Sequence, residues 1–263
     1  MIGMGLRELG EKILGTDERF LEEEMSSEEA TPLAGSLTND LVETQVGTVL
    51  KQFKSKPTMA YIQMAGRSVS GEIEFQDQSS RIANERNFRG FISDYEDVHV
   101  PDILGTSEEF VEYEQVDGQN LNTYLNSAER DEAVEMGLQV GEFLNYVHGK
   151  EGAITDLRIN NFMLGYDGVL KFVDAEYFTE NASDWEKRMD LITMVSSLKQ
   201  VDGESYRGFR EGFRESYSGD LDRCTGVISS ATSVGHSVFI ERDTERIRNA
   251  LENIGNDVSE YQE

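Results

Sequence analysis

The stretch Ile154-Thr-Asp-Leu-Arg-Ile-Asn-Asn-Phe-Met-Leu-Gly-Tyr-Asp-Gly-Val-Leu-Lys-Phe-Val-Asp174 decides how the rest of the chain is read. It holds an acid (Asp156), an amide five residues on (Asn161) and a second acid (Asp174) thirteen beyond that. Between amide and second acid lie two short apolar runs, split by Tyr166-Asp167-Gly168. Asp167-Gly168 between such runs predicts a β-hairpin with a two-residue turn. That hairpin carries Asn161 at its entrance and Asp174 at its exit, side by side at one end. Two oxygen ligands on one rigid hairpin suit Mg²⁺, which prefers carboxylates, carbonyls and substrate oxygens. A nearby carboxylate can orient an attacking hydroxyl and take its proton, so the pattern points to metal-assisted phosphoryl transfer. Taken alone, Asp-x4-Asn also fits a hairpin whose Asp and Asn are solvated turn residues, and the rest of the chain has to decide.

At 263 residues the chain is long enough for one large domain or two small ones with a substantial core. Its net charge is −27, from 51 acids against 24 bases, of which eight are Lys. Such an acid-rich, Arg-biased composition keeps a protein hydrated and dispersed in concentrated salt. It reads as a haloarchaeal or halophilic-virus protein, with an acidic mesophilic protein as the alternative. The bulk field argues against duplex nucleic acid or an anionic membrane as a partner, while a local basic pocket can still hold a nucleotide. The single cysteine, Cys224, excludes an internal disulfide, and His99, His148 and His236 lack metal-ligand spacing. With no apolar run of membrane-spanning length and no secretory apolar block near the start, a cytoplasmic protein is expected.

Asp156, Asn161 and Asp174 match in type, order and spacing the catalytic motif of the protein-kinase-like superfamily, which the chain resembles over roughly residues 33–217. The resemblance implies an α+β, two-lobed fold: a small antiparallel sheet with one helix, then a larger helical lobe built around the hairpin. The expected division is an N-terminal helical extension and acidic connector (1–30), an N-lobe (31–116) and a C-lobe (117–263). In the N-lobe, Gly35, Ser36, Thr38 and Asn39 form a small-residue loop able to bring backbone N–H groups to phosphate oxygens. It looks like the Gly-x-x-x-Asn loop of aminoglycoside and choline kinases, and the strand Thr48-Val-Leu-Lys looks like the one that follows it. By that likeness Lys51, rather than Lys54 or Lys56, contacts the α- and β-phosphates of ATP. Alternation along the strand puts Val49 and Lys51 on one face.

Residues 57–78 show little periodicity and read as an insertion or loop. A helix follows over 79–92, with Ile82, Phe88, Phe91 and Ile92 able to share a face. The resemblance gives it a glutamate partner for Lys51: Glu85, with Glu72 or Glu74 as alternatives if the helix begins earlier. Strands at Asp102–Gly105 and Phe110–Glu114 then lead to a hinge, where backbone groups near Tyr113, Glu114 and Val116 would meet the adenine edge. A long helix over 127–148, capped by Ser127, carries Val134, Leu138, Leu144 and Val147 on one stripe.

Two departures from the family pattern stand beside the catalytic residues. Ile154-Thr155 replaces the usual His-Arg or His-Gly before Asp156, which removes a cation that could dock a phosphorylated loop. Ala175-Glu176 follows Asp174 where Phe-Gly is common, a pattern similar to the Asp-Phe-Glu-Tyr of choline kinases. Arg158 lies where kinases acting on proteins often have Lys, and could meet the transferring phosphate bidentately. Asp190, sixteen residues after Asp174, arrives as early as in the RIO kinases and the small kinase of the KEOPS assembly, and is expected to brace the catalytic loop. The leading expectation is an ATP- and Mg²⁺-dependent phosphotransferase. Lys51 and Glu85 would hold ATP, Asn161 and Asp174 would hold Mg²⁺, and Asp156 would act on a small-molecule or protein hydroxyl. A RIO- or KEOPS-type protein kinase or ATPase, or an inactive binding module of the same fold, are the alternatives.

Overall fold

The computed structural model describes residues 31–35, 39–44, 47–53, 77–198, 201 and 203–219. The expected N-terminal extension, residues 57–76 of the expected 57–78 insertion, Ser36, Thr38 and the segment after 219 lie outside the described residues, while Asp77 and Gln78 of that insertion begin a helix. What is described forms a two-lobed α+β structure.

The first lobe is a five-stranded antiparallel sheet in the order β1-β2-β3-β6-β5, made of β1 (Thr31–Gly35), β2 (Asn39–Glu43), β3 (Thr48–Phe53), β5 (Ile103–Thr106) and β6 (Phe110–Glu114). The β-branched and aromatic content of Thr48-Val-Leu-Lys-Gln-Phe suits the central strand, flanked on both sides. Its register pairs Lys51 with Leu41 on one side and with Val111 on the other. Phe53 and Val111 face helix α1 (Gln78–Phe91) and form a small core with its Ile82. Asp77 caps that helix, its carboxylate accepting from the Ser80 amide at 2.8 Å. The buried stripe of α1 is Arg81, Ile82, Glu85 and Phe88, so two of its four inward positions are charged.

The second lobe is built on α3 (Arg130–Gly149), reached through β7 (Gly118–Asn120) and the short α2 (Leu121–Leu125). A second sheet, in the order β4-β10-β9-β7, joins β4 (Val98–His99) and β7 to the hairpin of β9 (Phe162–Gly165) and β10 (Leu170–Phe172). A two-stranded ribbon pairs β8 (Gly152–Ala153) with β11 (Thr179–Glu180). Helices α4 (Asp184–Ser197) and α5 (Gly203–Ser216) complete the lobe. Phe143, Phe162 and Phe172 stack edge-on within its core, and Phe88 of α1 packs against Phe143, Phe172 and Phe178. One end of α1 is thus seated in the helical lobe and the other against the sheet. Among the described residues no helix is long and apolar enough to cross a membrane.

Three expectations need correction. The long helix starts at Arg130, not beside Ser127: Glu129 and Glu132 form a capping box, while the Ser127 hydroxyl turns back to the Tyr124 carbonyl. Its buried stripe runs through Ala133, Val140, Leu144 and Val147, leaving Val134 and Leu138 half-buried. The reason is α5, which crosses so close that a methyl group on Gly137 would collide with the Phe209 carbonyl, and one on Gly212 with that of Val134. Third, the hairpin turn has three residues. Gly168 donates to the Gly165 carbonyl at 2.9 Å with φ +80°, and Gly165 donates to the Val169 carbonyl at 3.0 Å. The extra residue puts a left-handed position at Gly168, which glycine meets without steric cost.

Candidate active site

The segment around Asp156 is set by burial of its neighbours. Ile154, Leu157 and Ile159 are fully enclosed, so Asp156 and Arg158, between them, are turned outward. Asp190 of α4 accepts from the Ile154 amide at 2.9 Å and bonds His148 Nε2 at 3.0 Å. Ser197 accepts from the Ile159 amide at 2.8 Å. Thr155, where the family pattern has a basic or small residue, sits at φ +62° and donates its hydroxyl to the Tyr177 carbonyl at 3.0 Å. A β-branched residue in that region is strained, and Asp174 at φ +78° is a second such position. Both flank the chemistry the sequence points to.

The hairpin does bring Asn161 and Asp174 together. The Val173 amide donates to the Asn161 carbonyl at 2.8 Å, closing the ladder at the open end of the hairpin. The Asn161 side chain donates through its amide nitrogen to the Asp156 carbonyl at 3.1 Å. Asp174 commits Oδ1 to Lys51 at 2.5 Å. Asn161 and Asp174 offer hard oxygens of the kind Mg²⁺ takes, so the donor chemistry present fits the ion. Partial burial pushes the Asp156 carboxyl up to about 6, against the pull of Arg158. Arg158 Nε donates to Asp156 Oδ1 at 2.7 Å.

Lys51 lies opposite, inside a ring of acids. Its ammonium is 2.7 Å from Glu85, 2.5 Å from Asp174 and 3.1 Å from Glu176. Glu85 also accepts from the Ala175 amide at 3.1 Å, tying α1 to the residue after Asp174. Glu85, the first candidate partner for Lys51, is in contact with it, while Glu72 and Glu74 lie outside the described residues. One oxygen from each acid lies within 4.8 Å of the others, an arrangement that resembles a metal cage. We read it otherwise, because the Lys51 ammonium already occupies the middle. Burial pulls the Lys51 ammonium down, but Asp174, Glu176 and Glu85 hold it well above its ordinary value. Burial pushes Asp174 up to about 7 against Lys51, with Glu176 and Glu85 adding to the rise. Glu176 goes the other way: burial raises it, but Lys51 and Arg81, with the Asn39 hydrogen bond, hold it at about 2.

The remaining candidates are more scattered. Gly35 ends β1, paired with Asp40, and Asn39 opens β2. Asn39 is buried, and both ends of its amide are bonded within the protein, to Glu176 at 2.9 Å and to Arg81 at 2.7 Å. At the expected hinge, Tyr113 and Val116 are half-buried and Glu114 is exposed. The Glu114 amide donates to the Asp102 carbonyl at 2.9 Å, so it belongs to the sheet. Arg81 was missed in the sequence. Its signal is its position four residues before Glu85, on the same face of α1.

No family model matches the chain, and no curated protein does. Among solved structures, the chain is similar to APH(2″)-IIa, an aminoglycoside phosphotransferase solved as a ternary complex with streptomycin and ATP. The two share 9% identity at a TM-score of 0.52, over 87% of this chain and 89% of that one. At that identity the likeness speaks for architecture alone. The chain has the two-lobed fold of the kinase-like phosphotransferases.

Proposed function

We propose that the chain is an ATP- and Mg²⁺-dependent phosphotransferase that moves the γ-phosphate to a hydroxyl group of a small molecule. The observation that carries this reading is the Lys51 ammonium held between Glu85 and Asp174, at 2.7 and 2.5 Å, with Asp174 joined through the hairpin to Asn161 and Asp156. A solvated hairpin has no need of a buried lysine on its exit acid. Asn161 and Asp174 would hold Mg²⁺, which when bound neutralises charge on the phosphate oxygens. Lys51 would meet the α- and β-phosphates. Asp156 would align the acceptor hydroxyl and take its proton as the new O–P bond forms and the γ-phosphorus bond to the bridging oxygen breaks, with ADP leaving, a role suited to a carboxyl pushed up to about 6. Arg158 would keep Asp156 oriented and face the transferring phosphate. Likeness to a fold solved with streptomycin and ATP favours a small acceptor over a protein.

One observation favours a second reading, an atypical kinase or ATPase of RIO or KEOPS type. Asp174 and the first residue of α4, Asp184, are ten residues apart, and part of that length is pinned by β11 on β8. That leaves no long activation loop. Basal ATP hydrolysis without an acceptor would favour it.

The test is Mg·ATP binding by thermal shift, in low and in molar KCl, on the wild type and Asp174→Ala. A magnesium-dependent rise in Tm that the variant lacks is expected. No shift over a millimolar range of ATP would refute both readings and leave a binding module with a kinase fold.

A further inference from the structure

Glu176 connects more of the site than its neighbours do. Its Oε2 accepts from Asn39 at 2.9 Å and from Arg81 Nη2 at 2.8 Å, and lies 3.1 Å from the Lys51 ammonium. The same Arg81 nitrogen donates to Asn39 Oδ1 at 2.7 Å, and Asn84 donates to the Glu176 carbonyl at 2.9 Å. Strands β2 and β3 and helix α1 therefore meet on one carboxylate, two residues after Asp174. Asn39, Arg81 and Glu176 are 5, 3 and 2% exposed, so these bonds form away from water, where an unpaired partner is costly. The Arg81 guanidinium is also flanked by the rings of Phe53 and Tyr177, at 4.7 and 5.7 Å. An oxygen with three donors around it is poorly placed to serve a metal as well.

The position of this cluster along α1 gives it a job. Phe88, near the C-terminal end of α1, is seated among Phe143, Phe172 and Phe178 of the helical lobe. Ile82, near the N-terminal end, packs on Phe53 and Val111 of the sheet. Between sheet and hairpin, the N-terminal half of α1 reaches the segment after Asp174 through polar bonds from Arg81, Asn84 and Glu85. We propose that Arg81, Asn39 and Glu176 form a latch between the lobes that sets α1 and the start of β2 against the Asp174 segment. They act as positioning residues rather than metal ligands. The latch keeps Glu85 on Lys51 and holds Asn39, at the start of β2, against the segment after Asp174. Its effect on nucleotide rests on the phosphotransferase reading; the latch itself does not.

The test starts with amide hydrogen exchange on the nucleotide-free full chain, comparing wild type, Arg81→Met, Arg81→Lys and Glu176→Gln. Losing one charged hydrogen-bonding partner should speed exchange about tenfold in residues 78–86 and 174–178, with α3 unchanged. Arg81→Lys should restore most of the protection, since one ammonium can serve both Asn39 and Glu176. By calorimetry, Mg·ATP should then bind about tenfold more weakly to Arg81→Met and to Glu176→Gln, and no more weakly to the double variant. The Mg²⁺ midpoint should not move. Exchange that rises equally throughout α3, or no rescue by lysine, would overturn the latch in favour of a general core role. A shift of the Mg²⁺ midpoint in Glu176→Gln alone would overturn it in favour of a metal ligand. A wild type that binds no Mg·ATP would sink the phosphotransferase reading, and the exchange pattern would still decide the latch.

Discussion

On the helical side of the site, the loop bearing Asp156 is fastened by fully buried Ile154, Leu157 and Ile159 and by backbone bonds to Asp190 and Ser197. On the sheet side, Lys51 and Arg81 are fastened by charge, to Glu85, Asp174 and Glu176. The first kind of attachment is mainly non-directional apolar burial, with the Asp190 carboxylate as its polar tie. The second depends on the ionisation of every member, and its three acids against two bases leave one negative charge in excess. A site built this way has a floor fixed by burial, which on the proposed reading would serve the acceptor, and a roof whose fit follows the local charge. On the proposed reading, Mg²⁺ would add the positive charge the roof lacks, and nucleotide entry would be linked to lobe fit through the same few groups.

The comparison can be broken or sharpened by substitution. Asp156→Asn should lower phosphotransfer roughly 10²–10⁴-fold, with Tm and Mg·ATP affinity close to wild type, because the floor does not depend on that carboxylate. Loss of nucleotide binding in that variant would show the floor to be less independent than drawn. Lys51→Met strips the ring of its central cation and should cost about 3–5 kcal/mol at neutral pH, measured by urea unfolding. Part of that loss should return towards pH 5, where Asp174, already pushed up to about 7, takes up a proton. Leu157→Ala on the floor should cost about 2–5 kcal/mol with no such recovery. Equal pH dependence in the two variants would erase the distinction between roof and floor.

The smallest effect is the acid limb of stability. Glu176 is held at about 2 in the folded chain against an ordinary 4.5. The unfolded chain therefore binds its proton first, and the stability from Glu176 is complete above about pH 4.5 and lost as pH falls towards 2. Asp174, pushed up to about 7, runs in the opposite sense: the folded chain holds its proton longer, so its contribution declines as pH rises from about 4 to 7. Urea midpoints between pH 2 and 5 should fall less steeply in Glu176→Gln than in the wild type. Parallel curves would mean that Glu176 is not held low.

Much of this was legible before any coordinates. Strand β3 at Thr48–Phe53 and strand β6 at Phe110–Glu114 are where apolar and β-branched content put them. The hairpin from Asn161 to Asp174 is local, with its partners within a dozen residues, so sequence spacing carries it. The boundary of α3 was misread because Ser127 is a good cap by residue type, while the reciprocal pair Glu129 and Glu132 lies three residues apart and reads as two surface acids. The buried stripe of α3 was misread because its orientation is decided by α5, whose glycines let the two backbones approach. Arg81 and Asn39 went unread as a pair for a similar reason. Their meeting point is Glu176, 95 and 137 residues away along the chain.

By itself, the sequence determined the main strands and helices around the site and the hairpin that brings Asn161 and Asp174 together, since these depend on residue type and short-range period; the α+β, two-lobed class came from the resemblance its motifs carry. Tertiary structure alone decided that Lys51 sits inside three acids, with Glu85 in contact with it, and that Glu176 joins the lobes. Charges pair across whatever distance the fold closes, and the energy of a buried pair depends on the water excluded around it, which no spacing along the chain records.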